Sequence, residues 1–463
     1  MKLIMPTTLT KSLICTALLC ALGSVSQAHA GNAKNVILFI GDGMGPTVLT
    51  AARLFKTGEE GNLEMMKLPY SARIKTFSND AQTTDSAPSM AAYTTGVKMN
   101  NEVIAMSSDT KAVAPGKDVN GNKGVNNCAS DNGKPVSTLL ELAKAAGKSV
   151  GAVTTTELTH ATPAATYAHI CHRDAAYAIA EQAVPGGAGF NPALQDGVDV
   201  LMGGGANHWT PYSTSNKKGR ADGRDLTAEL KAQGYRYVTT KDELATVTGG
   251  KVLGLFSTTS HLDYELDRVA KGAASSQPSL SEMTAKAIDL LSQNSQGYFL
   301  MVEGGRIDHA LHATNAKRSL TDAVALDNAV KTALAKVNLA DTLIVVTADH
   351  DHTMTINGYS AKGNPVLDLV KNSDGSTQND VDGKPFTTLV FGNGPNRSDV
   401  RATLTSDQVM ADDYKQETGV KLGSETHGGG DVMLFADGAG SNRFKGTLDN
   451  THVFTKLREA LGL

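Results

Sequence analysis

Asp308 and His312 stand four residues apart, a spacing that places both side chains on one face of a helical turn and suits two ligands of one metal ion. Asp349 and His350 are adjacent, just after the apolar run Leu343 to Val346, with His352 close behind. Neighbouring residues can both turn towards a site only where the pleat of a strand stops. His427 lies in Thr426-His427-Gly428-Gly429-Gly430-Asp431, whose glycines let backbone and ion approach closely. Asp42 sits between Gly41 and Gly43 after the run Val36 to Ile40, and Glu303 follows the run Tyr298 to Val302. A candidate nucleophile accompanies them: Ser86, in Thr84-Asp85-Ser86-Ala87, opens a helix, where free N–H groups and the helix dipole favour an anion. Each feature alone has an ordinary explanation, such as a turn aspartate, a surface pair or a plain helix cap. Their recurrence at the ends of apolar runs points to one polynuclear metal centre with a serine beside it.

Those runs predict the scaffold. Val36 to Ile40, Ser149 to Val153, Val198 to Met202, Tyr298 to Val302 and Leu343 to Val346 are short and uninterrupted, as expected of strands buried on both faces of a parallel sheet. Helix-like segments lie between them, among them Val136 to Ala146 and Ser281 to Leu291. The alternation predicts a doubly wound fold: a three-layer α/β/α sandwich with a mostly parallel central sheet, whose ligands gather at the carboxyl ends of the strands. Residues 357–425 break the rhythm. They are rich in Asn, Asp, Ser and Gly, with one strand-like run at Thr387 to Phe391, and read as an insertion. Asn100 to Asn132 reads as a polar loop and Thr451 to Leu463 as a terminal helix.

Composition sets the outer bounds. The 463 residues are 40% hydrophobic, which excludes a disordered or collagen-like chain. A formal net charge of -4 gives no basic footprint, so no nucleic-acid partner is expected. Lys2 and Lys11, the apolar stretch Leu13 to Leu22 and Ala28-His29-Ala30 read as a signal peptide over residues 1–30, with residues 31–463 as the mature domain. Ten residues, interrupted only by Thr16, are too few to span a bilayer, and no later segment reads as a membrane helix. The expectation is a periplasmic or secreted protein. Its mature form keeps two cysteines, Cys128 and Cys171, which either pair in that oxidising compartment or remain as thiols.

The motifs Asp42-Gly43-Met44-Gly45, Thr84-Asp85-Ser86-Ala87, Val302-Glu303-Gly304-Gly305 and Thr347-Ala348-Asp349-His350, in this order, resemble the metal-dependent alkaline phosphatases. Gly304-Gly305-Arg306-Ile307-Asp308-His309 is similar to the vertebrate-type branch, and the insertion falls where that branch has its crown domain. The resemblance covers Asn35 to about Leu461 and implies a phosphomonoesterase of broad leaving-group specificity and alkaline optimum, with two zinc ions and one magnesium. By matching motif it implies Asp308, His312 and His427 for the first zinc, and Asp42, Asp349 and His350 for the second, next to Ser86. Asp42, Glu303 and Thr162 would hold magnesium, with His160 tuning that site, and Arg173 would clamp phosphate. His352 would stand behind the ligands, and Glu265 is the one match to the branch's calcium site. A homodimer is the assembly the family implies. One departure is Gly430, where the family usually has an acidic residue.

The chemistry fits the inventory. Three divalent ions against the carboxylates Asp42, Glu303, Asp308 and Asp349 leave a cationic cavity for a phosphate dianion in an acidic protein. The mixed His/Asp sets suit zinc, and the all-oxygen set suits magnesium. Two rivals remain at this point. The first is a sulfatase or phosphodiesterase of the same superfamily: a sulfatase would want arginine where Met90 stands and would use a single hard cation, whereas three histidines here favour softer ions, and Arg173 suits a terminal phosphoryl group over a diester. An exported metal- or phosphate-binding protein would have no use for Ser86.

Overall fold

In the computed structural model, which describes residues 32–463, the apolar runs form the centre of a ten-stranded sheet. Its strands in chain order are β1 (Asn35–Gly41), β2 (Tyr70–Lys75), β3 (Ser149–Glu157), β4 (Val200–Gly204), β5 (Arg236–Val238), β6 (Val252–Leu255), β7 (Tyr298–Gly304), β8 (Thr342–Ala348), β9 (Val432–Gly438) and β10 (Gly446–Asp449). The spatial order is β10-β2-β9-β8-β1-β7-β3-β4-β6-β5. Nine strands point one way and β9 alone runs against its neighbours β8 and β2. The central strands β7 and β8 are buried along their whole length, which is why they read as unbroken apolar runs.

Two helix groups cover the sheet. On one side α1 (Pro46–Thr57), α5 (Leu280–Leu291), α6 (Arg306–His312) and α7 (Ala316–Lys336) pack together; on the other lie α2 (Ser86–Thr95), α3 (Leu139–Ala145), α4 (Ala161–Tyr167) and α8 (Asn450–Leu461). This is the expected three-layer α/β/α sandwich.

Register then fixes the site. Ile40 of β1 pairs with Glu303 of β7, and Glu303 pairs with Thr154 of β3. Gly41 pairs with Ala348 of β8, so Asp42 and Asp349 leave the sheet side by side. Asp42, Thr154, Glu303 and Asp349 therefore lie at one edge because their strands are parallel and in step.

Beyond β8 the chain forms a small sheet of Met354–Ile356, Leu389–Gly394 and Thr418–Lys421. The middle strand begins two residues and ends three residues later than the run Thr387 to Phe391. Residues 100–132 are not wholly irregular, since Gly116–Lys117 pairs with Lys123–Val125. Cys128 and Cys171 are joined in a disulfide, which resolves the choice that the sequence leaves open. The signal-peptide reading of residues 1–30 lies outside the described residues. Among the described residues no helix is long and apolar enough to cross a membrane.

Candidate active site and metal centre

Three groups of ligand atoms converge at the strand ends, each with its atoms within 4.8 Å of one another: Asp308, His312, His352 and His427; Asp42, Asp308 and His350; Asp42, His160 and Glu303. Asp42 and Asp308 each belong to two of them, so the groups form one continuous centre.

Hydrogen bonds at the rear of the rings decide which nitrogen faces that centre. His312 Nδ1 lies 2.6 Å from the Glu425 carbonyl oxygen, His427 Nδ1 2.9 Å from that of Thr84 and His350 Nδ1 3.3 Å from that of Asp351. A carbonyl can only accept, so each Nδ1 carries a proton and each neutral ring presents a bare Nε2. The Nε2 atoms of His312 and His427 are 3.1 Å apart and lie 3.2 and 3.4 Å from Asp308 Oδ1. Two lone pairs and a carboxylate oxygen facing one another is the donor set of a cation site.

His352 differs. Its Nε2 is 2.7 Å from Asp308 Oδ1 and its Nδ1 2.6 Å from Glu425 Oε2, so both nitrogens are engaged with carboxylates. Burial works against a charged ring here, but the hydrogen bonds and charges of Asp308 and Glu425 outweigh it and push His352 up to about 10. It stands behind Asp308, without a lone pair to give.

The second and third groups show the strain of closely spaced anions. Asp42 is fully buried, and burial together with Asp349, Asp308 and Glu303 pushes its carboxyl well up. Burial raises Asp349 as well and brings Glu303 to about 7, although the Thr154 hydrogen bond opposes the latter shift. Glu303 Oε2 accepts from Thr154 and Thr156. Asp42 Oδ2, Asp349 Oδ2, Glu303 Oε1, Thr162 Oγ1 and His160 Nδ1 are buried with no hydrogen-bond partner. Four of these are oxygens orphaned at one edge of a sheet, and cations there would satisfy them. His350 is held well below its ordinary value by burial and by the His427 ring stacked 3.5 Å away.

Ser86 is the first residue of α2, capped by the Asp85 side chain. Its hydroxyl lies 3.3 Å from Asp42 Oδ1 and 3.2 Å from His350 Nε2, both acceptors. Arg173 faces it: Nη1 donates to Asp85 Oδ1 at 2.9 Å and Nη2 to His160 Nε2 at 3.1 Å. Two of the five guanidinium N–H groups are thus used, leaving three for an oxyanion. Gly43 takes the left-handed conformation, and a Cβ there would come 2.5 Å from the His352 ring.

All eleven residues singled out in the sequence gather here: Asp42, Ser86, His160, Thr162, Arg173, Glu303, Asp308, His312, Asp349, His350 and His427. Residues 33–463 match the family model described as alkaline phosphatase. The chain belongs to the alkaline phosphatase family. With it comes the family's activity, hydrolysis of phosphate monoesters, and its dependence on metal ions. The chicken tissue-nonspecific alkaline phosphatase (Gallus gallus) is 39% identical over 454 residues, 91% of this chain and 83% of that protein. The alkaline phosphatase of Gadus morhua is 37% identical over 466 residues, 93% and 92% of the two chains. Among solved structures, the Thermus thermophilus alkaline phosphatase superposes with a TM-score of 0.68 at 27% identity, covering 98% of this chain and 96% of that one. That of the Antarctic bacterium TAB5 gives 0.65 at 25%, covering 94% and 99%.

Against the family pattern, the room for a side chain at Gly430 is taken by the Asp351 carboxylate, 2.4 Å from where a Cβ would stand. At Glu265, the calcium match, both carboxylate oxygens accept from Arg268 at 2.7 Å. Met90 is buried in the core. Sequence reasoning did not find Glu425, the hold of Asp85 on Arg173, or a second tier of imidazoles in which His261 lies 4.3 Å from His309. Each is a contact between residues far apart in the chain.

Proposed function

We propose that the chain hydrolyses phosphate monoesters through a phosphoserine on Ser86, in a centre of two zinc ions and one magnesium, with an alkaline optimum. The supporting observation is the coincidence of bare Nε2 atoms, orphaned carboxylate oxygens and a helix-opening serine within one buried edge. Asp308, His312 and His427 would hold one zinc; Asp42, Asp349 and His350 the other; Asp42, Glu303 and Thr162 magnesium. A variant of the TAB5 enzyme has magnesium in a site named M3, which favours this third assignment. When bound, such ions supply Lewis acidity, stabilising anionic oxygens and lowering the pKa of a hydroxyl or water.

The residues then divide the work. Ser86 Oγ, 3.3 Å from Asp42 Oδ1 and 3.2 Å from His350 Nε2, loses its proton to water and forms a bond to phosphorus, while the ester oxygen leaves with its electron pair and takes up a proton from water. Arg173 holds two nonbridging oxygens with its remaining N–H groups, a bidentate grip that lysine cannot make. Water next attacks phosphorus, the Ser86 oxygen leaves, and inorganic phosphate is released. Nothing in this sequence of steps grips the alcohol portion, hence broad leaving-group specificity.

The same proposal includes export to the periplasm or exterior, supported by the Cys128–Cys171 disulfide, and a homodimer, readable by light scattering. It also takes residues 357–425 as a crown-like insertion. The deciding assay is turnover of a chromogenic phosphate monoester at alkaline pH beside the matching diester and sulfate ester, before and after chelation. Monoesterase activity lost to chelation and restored only by zinc with magnesium is expected. Preference for the diester or sulfate ester would overturn the reading.

A further inference from the structure

Glu425 is absent from all three donor groups, yet its side chain is completely buried. A carboxylate in such a place is costly unless satisfied. Here it is: Oε2 accepts from His352 Nδ1 at 2.6 Å, while Oε1 accepts from the Thr353 N–H at 2.8 Å and its hydroxyl at 2.5 Å. The main chain of the same residue does a second task. Its N–H donates to the His312 carbonyl at 3.1 Å, and its own carbonyl accepts from His312 Nδ1 at 2.6 Å. It lies two residues before His427.

Every member of one donor trio is therefore tied to this residue. Asp308 is reached through His352, whose Nε2 lies 2.7 Å from Asp308 Oδ1. His312 is reached through the Glu425 backbone, and His427 through the chain. The side chain fixes the backbone: with Oε1 anchored on Thr353 and Oε2 on His352, the Glu425 carbonyl is held where the His312 ring meets it. We propose that Glu425 is a positioning residue for the trio Asp308, His312 and His427. By fixing which His312 nitrogen faces the ion and where Asp308 points, it sets how tightly that ion is held. This rests on the metal reading above, and it adds a residue that touches no ion. Outer groups of this kind typically govern metal affinity by about 10–100-fold.

The test is zinc affinity, measured by competition with a chromogenic chelator on stripped and reloaded protein, with the thermal midpoint of each metal-free protein as the control for folding. Glu425→Ala is expected to weaken one of the two zinc equivalents by about 10–100-fold and leave the other unchanged. Cobalt substituted for zinc should show altered visible bands from that one site. Should the alanine variant not fold, Glu425→Asp carries the same expectation, since it keeps the charge but is a methylene too short to span Thr353 and His352. Glu425→Gln can keep every contact if His352 carries its proton on Nε2, and should hold zinc close to the wild-type affinity. Wild-type affinity in the alanine and aspartate variants would overturn the proposal. So would equal loss at both zinc equivalents, or a glutamine variant as weak as alanine. A wild-type chain that takes up no zinc is a different result, and would overturn the metal reading itself.

Discussion

Asp85 holds Arg173: its Oδ1 accepts an N–H of the guanidinium at 2.9 Å, and the same oxygen accepts the Ala87 N–H at 2.7 Å. One carboxylate oxygen thus caps the helix that presents Ser86 and aims the residue that faces it. Asp85→Ala should cost about 1 kcal/mol as a lost cap. It should also lower kcat/KM by about ten- to hundredfold, because a hydrogen bond to a charged group is lost. Asp85→Asn keeps an accepting oxygen and should recover most of the stability. Thermal unfolding and steady-state kinetics of both variants check the pair, and full kcat/KM in Asp85→Ala would break the link to Arg173.

Ser86→Ala removes one hydroxyl from a site whose other donors stay in place. Turnover of a phosphate monoester should fall by on the order of 10³-fold or more. Zinc content should not change. Metal analysis beside the kinetic assay separates the two, and a variant that still turns over many times has another nucleophile.

The metal-free protein should lose stability as pH rises. Burial brings Glu303 to about 7 from an ordinary 4.5, and raises Asp42 and Asp349 in the same direction. A carboxyl raised on folding contributes stability that is complete below its unfolded value and is lost as pH climbs through the folded one. For Glu303 that window runs from about 4.5 to about 7, worth on the order of 3 kcal/mol. The thermal midpoint of chelator-stripped protein should therefore fall across this range, and that of the metal-loaded protein should not. A stripped protein that gains stability over the same window contradicts the arrangement.

Cys171 is bonded to Cys128 and precedes Arg173 by two residues, while the Arg173 N–H donates to the Glu102 carbonyl at 2.8 Å. Cys128→Ser should destabilise the fold by up to ~4 kcal/mol in the chain-entropy model. It should also raise KM for the monoester more than it lowers kcat, since the loosened segment carries the phosphate grip. Kinetics at a temperature where the variant is fully folded test the second statement.

The part of this architecture visible in the sequence was the part set by chemistry within a few residues. Runs such as Val36 to Ile40 and Leu343 to Val346 announce central strands because both faces are buried, and Asp42, Glu303 and Asp349 follow them directly. Tyr70–Lys75 and Val432–Gly438 were less legible because they alternate buried and more exposed positions beside the antiparallel pairing. Short strands such as Arg236–Val238 take their identity from a neighbour, not from their own pattern. The site was legible where ligands cluster by motif. Glu425 was not, because its meaning lies in contacts with His312 and His352, more than seventy residues earlier in the chain. The hold of Asp85 on Arg173 spans 88 positions and leaves no local trace either.

Asp42 belongs to two of the three donor groups. Under the three-ion reading, the ions cannot load independently. A cation drawing on Asp42 in one group changes the charge that a cation in the other meets. Coupling of this kind is reciprocal, and each ion changes the affinity for the other by the same factor. Occupancy of one position would then report on occupancy of the next, and metal content would be a property of the whole centre and not of separate sites.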